Sequence, residues 1–275
     1  MQSPMNAKIE GQSRFEKDAS RYATYLDSPE GRLRADLTFA NLEEFLSGSA
    51  GHESLRALDL GCGTGAGGVR WARLGVHVTL LDSSPAMLEL AQQTIADAGV
   101  IDKTTVKQGD ASRSTNICEA RSFDIILCHN LLEFVDDPAA VLRNAAGLMR
   151  DSSAILSVLV RNQAGEVLKA ALQTGDLAAA EHNLTNEWGE ESLYGGKVRL
   201  FTPETLESML KDASLTIKIR RGVRVVSDFL PAQISRSAEY ERIFALERKL
   251  AKRPEFFGVA RYLQCLATVH EPDPR

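Results

Sequence analysis

A glycine-rich turn constrains this chain more than any other feature. Residues 58–65 read Leu58-Asp59-Leu60-Gly61-Cys62-Gly63-Thr64-Gly65. They close an apolar run at 56–60 and lead into a helical pattern at 67–74. Strand, turn and helix therefore follow one another directly. Glycines permit the tight turn and let a ligand approach the backbone closely. Asp59 puts a carboxylate at the end of the strand. A second carboxylate, Asp82, ends the next apolar run at 76–81, in Leu80-Leu81-Asp82-Ser83-Ser84. The offset is 82 − 59 = 23 residues. That is near the roughly 20 that separate a nucleotide-binding glycine turn from its ribose-binding acid.

The alternation continues. Strands are predicted at 56–60, 76–81, 104–108, 123–128 and 154–160, with helices at 67–74, 85–98 and 137–149. Near-continuous apolar strands between amphipathic helices predict an α/β fold, a mostly parallel sheet with helices on both faces. Two helices are expected earlier, between Ser13 and Leu46, broken at Ser28-Pro29-Glu30-Gly31. The first carries Phe15, Ala19, Tyr22 and Leu26 on one face, the second Leu33, Leu37, Ala40, Leu42 and Phe45. Residues 47–51 read as a linker. After the fifth strand come a helix at 163–177, a polar loop at 183–197 and a helix at 202–213. A strand follows at 215–226, interrupted at Gly222, then a helix at 237–253 and a last strand at 262–269. The expected organisation is an N-terminal helical cap over 1–50 and a main domain over 51–270, with additions at 161–200 and 227–255. At about 150 residues per domain, 275 residues fit one sheet domain so extended.

Composition narrows the function. Hydrophobic residues make up 44% and charged residues 25%, enough for a packed core. The 32 basic residues are outnumbered by 37 acidic ones, giving a net charge of -5. That disfavours non-specific coating of nucleic acid but leaves room for a local basic face. Four cysteines without a CxxC pair point to reduced thiols and a cytoplasmic protein. The polar N-terminus lacks the apolar core of a signal peptide, and no apolar run nears the ~18 residues that span a bilayer. Five scattered histidines lack ligand spacing, so no metal and no membrane partner is expected.

Four motifs then act as a set: DLGCGTG from Asp59, LLDSSPAMLELA from Leu80, KQGDAS from Lys107 and FDIILCHNLLEFVDDP from Phe123. Together they resemble the class I S-adenosylmethionine-dependent methyltransferases. A dehydrogenase turn would usually read G-x-G-x-x-G with no acid before it; here G-x-G-x-G follows Asp59. The resemblance implies a Rossmann-like methyltransferase fold with a seven-stranded sheet, and S-adenosyl-L-methionine as cofactor. It implies that Asp59, Gly61, Cys62 and Gly63 approach the methionine part. Asp82 would bind the ribose, with Ser83 and Met87 near the adenosine. Asp110 would take the adenine amino group, with Ala111 beside the ring. His129 would lie between cofactor and substrate, either as a base or bonded to backbone or cofactor. Arg34 would pair with the methionine carboxylate, or else lie on a solvated helix face.

Outside this core, Arg161-Asn162-Gln163-Ala164-Gly165, the segment from Gly222 to Leu230 and residues 240–262 are similar to the bacterial tRNA 5-carboxymethoxyuridine methyltransferases. That resemblance implies tRNA, held by its anticodon loop, as partner, with Arg224 or Arg161 positioning the acceptor carboxylate. Cations crowd the second half, most densely at Arg220, Arg221 and Arg224, and Tyr194, Phe201, Phe229, Tyr240 and Phe256 are candidate stacking aromatics. Two alternatives stay open: a methyltransferase acting on a small molecule such as a quinone precursor, and a non-catalytic cofactor- or RNA-binding module.

Overall fold

Strand β1 (Arg56–Leu60) buries every side chain after its first, which explains its unalternating sequence. In the computed structural model, which describes residues 19–46, 52–191 and 195–270, it lies near the middle of a seven-stranded sheet. β2 (His77–Asp82) and β4 (Ile125–His129) flank it in parallel, and β3 (Thr104–Gln108) and β5 (Ile155–Arg161) extend the parallel set. β9 (Tyr262–Val269) runs antiparallel to β5, and β8 (Leu215–Val223) antiparallel to β9. The order is β3-β2-β1-β4-β5-β9-β8. The chain leaves β1 for one side of the sheet and returns to β4 on the other. The crevice outside the carboxyl ends of β1 and β4 is therefore where a ligand binds in such sheets.

Helices α1 (Ala19–Asp27) and α2 (Pro29–Leu46) precede the sheet. They fold back on each other at Gly31, where a Cβ would lie 2.0 Å from the Tyr25 carbonyl oxygen. α2 buries Leu33, Leu37 and Leu42 as its periodicity predicts, but Arg34, Thr38 and Asn41 are buried beside them. Phe45, expected on the apolar face, is 36% exposed. α3 (Ala66–Arg73) follows the glycine turn. α4 (Pro85–Ala98) starts at Ser84, whose hydroxyl accepts the Met87 N–H, and α5 (Pro138–Leu148) starts at Asp137, which accepts the Ala140 N–H. Both put proline in the first turn, where its missing N–H costs nothing. The core fills both faces of the sheet around Leu58, Leu60, Ile125, Ile126 and Leu127. Burying each such aliphatic side chain contributes about 1.5–3 kcal/mol.

The additions differ from expectation in three places. The single helix expected at 163–177 is α6 (Gln163–Leu168), prolonged by a π-helical turn over Lys169–Thr174, then stopped by Gly175 at a φ of 68°. α7 (Leu177–Asn183) follows. The polar loop expected at 183–197 contains a two-stranded hairpin, β6 (Trp188–Glu190) and β7 (Lys197–Arg199). β8 is not interrupted at Gly222, which pairs with Leu263; its irregularity falls between Ile217 and Ile219. Glycine serves close packing there, since a Cβ would sit 2.8 Å from that of Ala260. α8 (Pro203–Asp212), α9 (Tyr240–Ala251) and α10 (Pro254–Phe257) complete the chain's helices among the described residues. Phe15 and the linker at 47–51 lie outside them. No helix there is long and apolar enough to cross a membrane.

Candidate active site

The glycine turn is locked by its neighbours before any ligand is considered. The N–H groups of Gly61 and Cys62 both donate to the Leu81 carbonyl, at 2.8 and 3.0 Å. Asp82 accepts the Gly63 N–H on one oxygen at 2.8 Å and the Ser84 N–H on the other at 2.9 Å. Each carboxylate oxygen keeps a lone pair for a further donor. Gly61 and Gly63 take positive φ values of 67° and 52°. A Cβ on Gly61 would also meet Leu131 at 2.7 Å. Behind the turn, Asp59 accepts the Gly68 N–H at 2.9 Å; burial pushes its carboxyl up to about 7. Burial likewise raises Asp82. Asp110 caps the turn Ala111–Asn116, taking the Ser112 N–H and hydroxyl on a single oxygen.

One cleft gathers Arg34, Gly61, Gly63, Asp82, Ser83, Met87, Asp110, Ala111, His129 and Arg161. An adjoining cleft shares Arg34, Gly61 and His129 and adds Asp59 and Cys62. Every candidate read from the sequence is thereby brought to one mouth except Arg224, which lines neither. Its guanidinium is buried against Asp228 and donates to the Tyr25 hydroxyl at 3.1 Å. It cannot reach an acceptor while so held. Several lining residues carried no expectation of their own: Tyr22, Asn130, Glu133, Phe134 and Glu191. The motif at 129–138 contained three of them, but only the folded turn shows which ones face the cleft.

His129 ends β4. Burial, with Arg34 nearby, pulls its imidazole down to about 3, so the ring is neutral at ordinary pH. Its Nε2 lies 2.8 Å from the Ser157 hydroxyl, which accepts from Gln264 Nε2 at 3.1 Å. Ser157 gives or accepts the proton of that bond according to the ring's tautomer. Gln264 is held in turn by the Asn41 amide at 2.8 Å and by the Thr38 carbonyl at 3.0 Å.

Arg34 is buried and has no carboxylate within ion-pair distance among the described residues. It donates to the Tyr22 hydroxyl at 3.1 Å and lies over the Tyr25 and Tyr262 rings. The solvated-face alternative for Arg34 is thus excluded. Arg161 pairs with Glu191 at 2.5 Å and Glu166 at 3.4 Å, and Arg261 with Glu166 at 2.6 Å and Asp228 at 3.7 Å. Burial alone would raise the Tyr262 phenol, but Arg34, Arg224, Arg161 and Arg261 pull it down to about 8.

Several of the expected RNA-facing residues are taken up in ion pairs or in the core. Arg220 is paired with Glu207, Arg236 with Glu30, Arg242 with Glu239 and Arg248 with Glu44. Phe201, a stacking candidate, is core at 2% exposure. Phe229, Tyr240 and Phe256 are half-buried, and Tyr194 lies outside the described residues. An aromatic not singled out, Trp188, is 39% exposed with the Arg199 guanidinium 5.0 Å from its ring centre. Among the described residues no cluster of His, Cys, Asp or Glu could hold a metal ion.

Comparison with known proteins agrees with this geometry. A methyltransferase domain model matches residues 58–155. The chain is 26% identical over 243 residues to the tRNA 5-carboxymethoxyuridine methyltransferase of Escherichia coli strain K12, covering 86% of this chain and 88% of that protein. It is 33% identical over 127 residues to the ubiquinone biosynthesis O-methyltransferase of Xanthomonas axonopodis pv. citri, covering 46% and 52%. Among solved structures, the Burkholderia thailandensis 1,6-didemethyltoxoflavin-N1-methyltransferase, with bound S-adenosylhomocysteine, superposes with a TM-score of 0.61 at 16% identity, covering 98% and 92%. Residues 58–155 thus carry a methyltransferase domain, and the chain is an S-adenosylmethionine-dependent methyltransferase. Its cofactor is S-adenosyl-L-methionine. The cleft fits that molecule, offering a buried guanidinium without a carboxylate partner at one end and lone pairs of Asp82 and Asp110 at the other.

Proposed function

We propose that this enzyme methylates a carboxylate, that of 5-carboxymethoxyuridine at the tRNA wobble position. The observation carrying this reading is a charge imbalance beside the cleft. Arg34, Arg161, Lys169, Arg224 and Arg261 form a group of five cations. They are met by three carboxylates, Glu166, Glu191 and Asp228. Glu133 adds a carboxyl that burial holds toward its neutral form. Two more cations than ion-paired carboxylates are left over; S-adenosylmethionine carries a sulfonium and an ammonium beside its one carboxylate, so the anion that meets this excess is the acceptor's carboxylate. Unbalanced buried charge is costly, so such an excess favours anionic ligands. The similarity to the tRNA methyltransferase also runs through the additions at 161–200 and 227–255, whereas that to the Xanthomonas ubiquinone enzyme covers under half of the chain.

In this reading Arg34 pairs with the methionine carboxylate through two hydrogen bonds. Asp82 accepts from the ribose hydroxyls and Asp110 from the adenine amino group, with Ser83, Met87 and Ala111 against the adenosine. Gly61, Cys62 and Gly63 let the methionine part lie on the backbone, over Asp59. Arg161 and His129 Nδ1 face the acceptor. Arg224 acts from behind, holding Asp228 and Tyr25. The bound cofactor supplies a methyl group already activated as a sulfonium, so a carboxylate acceptor needs no base. That suits a histidine kept neutral by burial and by Arg34.

A second reading, O-methylation of a small metabolite, is favoured by the ion pairing of most second-half arginines. Methyl-label transfer from S-adenosylmethionine separates the two. Label is expected on tRNA carrying carboxymethoxyuridine, as an alkali-labile ester, and absent from tRNA lacking it. No transfer to the modified tRNA sinks the first reading.

A further inference from the structure

Glu133 is the carboxyl that the cofactor does not account for. It closes the turn after β4 that begins at Asn130, whose φ is 50°, and it is 3% exposed on the wall of the cleft. One of its oxygens, Oε1, accepts two hydrogen bonds, from Asn130 Nδ2 at 3.0 Å and from the Arg161 N–H at 2.8 Å. The other, Oε2, is buried and has no partner. Arg161 Nε, on a second residue of the same wall, is also buried without one. Buried polar atoms are nearly always satisfied, so two orphans lining one cleft point to a missing ligand.

We propose that Glu133 enters the reaction as a protonated acid and donates its Oε2–H to the acceptor carboxylate, beside the Arg161 Nε–H. This deepens the carboxylate reading above and rests on it. A carboxylate brings only lone pairs, so a subsite matched to it offers only donors. Arg161 Nε and a protonated Glu133 are both donors; an ionised Glu133 would repel the acceptor. Burial raises the Glu133 carboxyl above its usual range, and Asn130 and Arg161 offset this only in part. The other titratable groups around it are the neutral His129, the Cys128 thiol, held protonated by burial, the Glu166 and Glu191 carboxylates beyond Arg161, and Arg199, whose N–H donates to the Glu133 carbonyl while its guanidinium lies over the Trp188 ring. None supplies a further positive charge that would ionise it. Glu133 is thus a specificity residue that selects an anionic oxygen acceptor over a protonated one.

The test compares the wild-type enzyme with Glu133→Gln, which keeps both accepted bonds and presents a permanent N–H donor to the cleft. Two measurements are needed. Infrared difference spectra of the S-adenosylhomocysteine complexes at pH 7 are expected to show a protonated-carboxyl band in the wild type that is missing from Glu133→Gln. At pH 7 the acceptor KM is expected to rise by less in Glu133→Gln than in Glu133→Leu, because the amide N–H stands in for the acid. The wild type loses acceptor affinity as pH rises and Glu133 ionises, whereas Glu133→Gln does not. Glu133→Leu is expected to raise the acceptor KM about tenfold or more with unchanged S-adenosylmethionine affinity. A carboxylate band for Glu133 at pH 7, or a loss of about a hundredfold in kcat in Glu133→Gln, overturns the proposal and makes Glu133 a base. A wild type inactive on the modified tRNA instead overturns the carboxylate reading, and the pairing with it; the infrared band still reports the proton on Glu133, so the two failures are told apart.

Discussion

The two walls of the cleft are built in opposite ways. On the cofactor side, carboxylates meet backbone N–H groups close in sequence or on the adjacent strand: Asp82 with Gly63 and Ser84, Asp59 with Gly68, Asp110 with Ser112. On the acceptor side, charged side chains meet each other across long stretches of chain: Arg161 with Glu191, Arg261 with Glu166 and Asp228, Arg224 with Tyr25. The first wall is fixed as soon as the β1–α3 and β2–α4 turns form. The second exists only after the cap, the additions and β9 have all docked. On the proposed reading, the shared chemistry is written in local backbone geometry and acceptor choice in long-range charge.

This contrast is broken most severely at Arg224. Arg224→Ala leaves Asp228 buried at 5% exposure without its main cation. A loss of about 3–5 kcal/mol in unfolding free energy is expected by denaturant titration. A loss below about 1 kcal/mol would mean that the acceptor wall does not depend on this pair. On the other wall, Asp82→Ala frees the Gly63 and Ser84 N–H groups and removes the ribose acceptor. Calorimetric titration should give S-adenosylmethionine affinity lower by about 2–3 kcal/mol, roughly 30- to 150-fold, and indifference would remove Asp82 from the cofactor site.

Asp59 sharpens the comparison through pH. Its folded value of about 7 exceeds the ordinary carboxyl value, so the folded state binds its proton more tightly than the unfolded chain. Stability from this group is present in acid and is lost as pH rises through about 7. Asp59→Asn keeps an acceptor for the Gly68 N–H without the buried charge. It should be more stable than wild type at pH 8 by up to about 4 kcal/mol and nearly indistinguishable at pH 4. Equal gains at both pH values would rule out titration as the cause. The smallest effect belongs to the surface: Arg220→Ala breaks a half-exposed pair with Glu207 and should change stability by less than about 1 kcal/mol.

The same division explains what could be read in the sequence. α4, β3 and β9 run as predicted, because caps, proline and apolar runs are local signals. The cofactor residues came together for the same reason. Arg224 did not, since nothing near it in sequence tells that Tyr25 and Tyr262 would enclose it. Gly222 read as a break because the close approach of Ala260 is visible only in the fold. Arg34 sat on a helix of mixed periodicity, and only docking decided between water and the cleft. Glu133 stood in plain view inside a motif, but one of the two donors to its carboxyl, the Arg161 N–H, lies 28 residues away.

The hydrogen-bonded line from Asn41 through Gln264 and Ser157 to His129 bears on modularity. A chain begun after residue 50 would keep every strand and the whole glycine turn. It would still strand the Gln264 side chain between two lost partners, the Asn41 amide and the Thr38 carbonyl, and expose Tyr262 and Leu159 where Leu33 and Leu37 now pack. The ring of the histidine at the cleft is held through that line. The first helices are thus not a detachable lid: exchanging them between relatives would transplant part of that histidine's environment along with the cover.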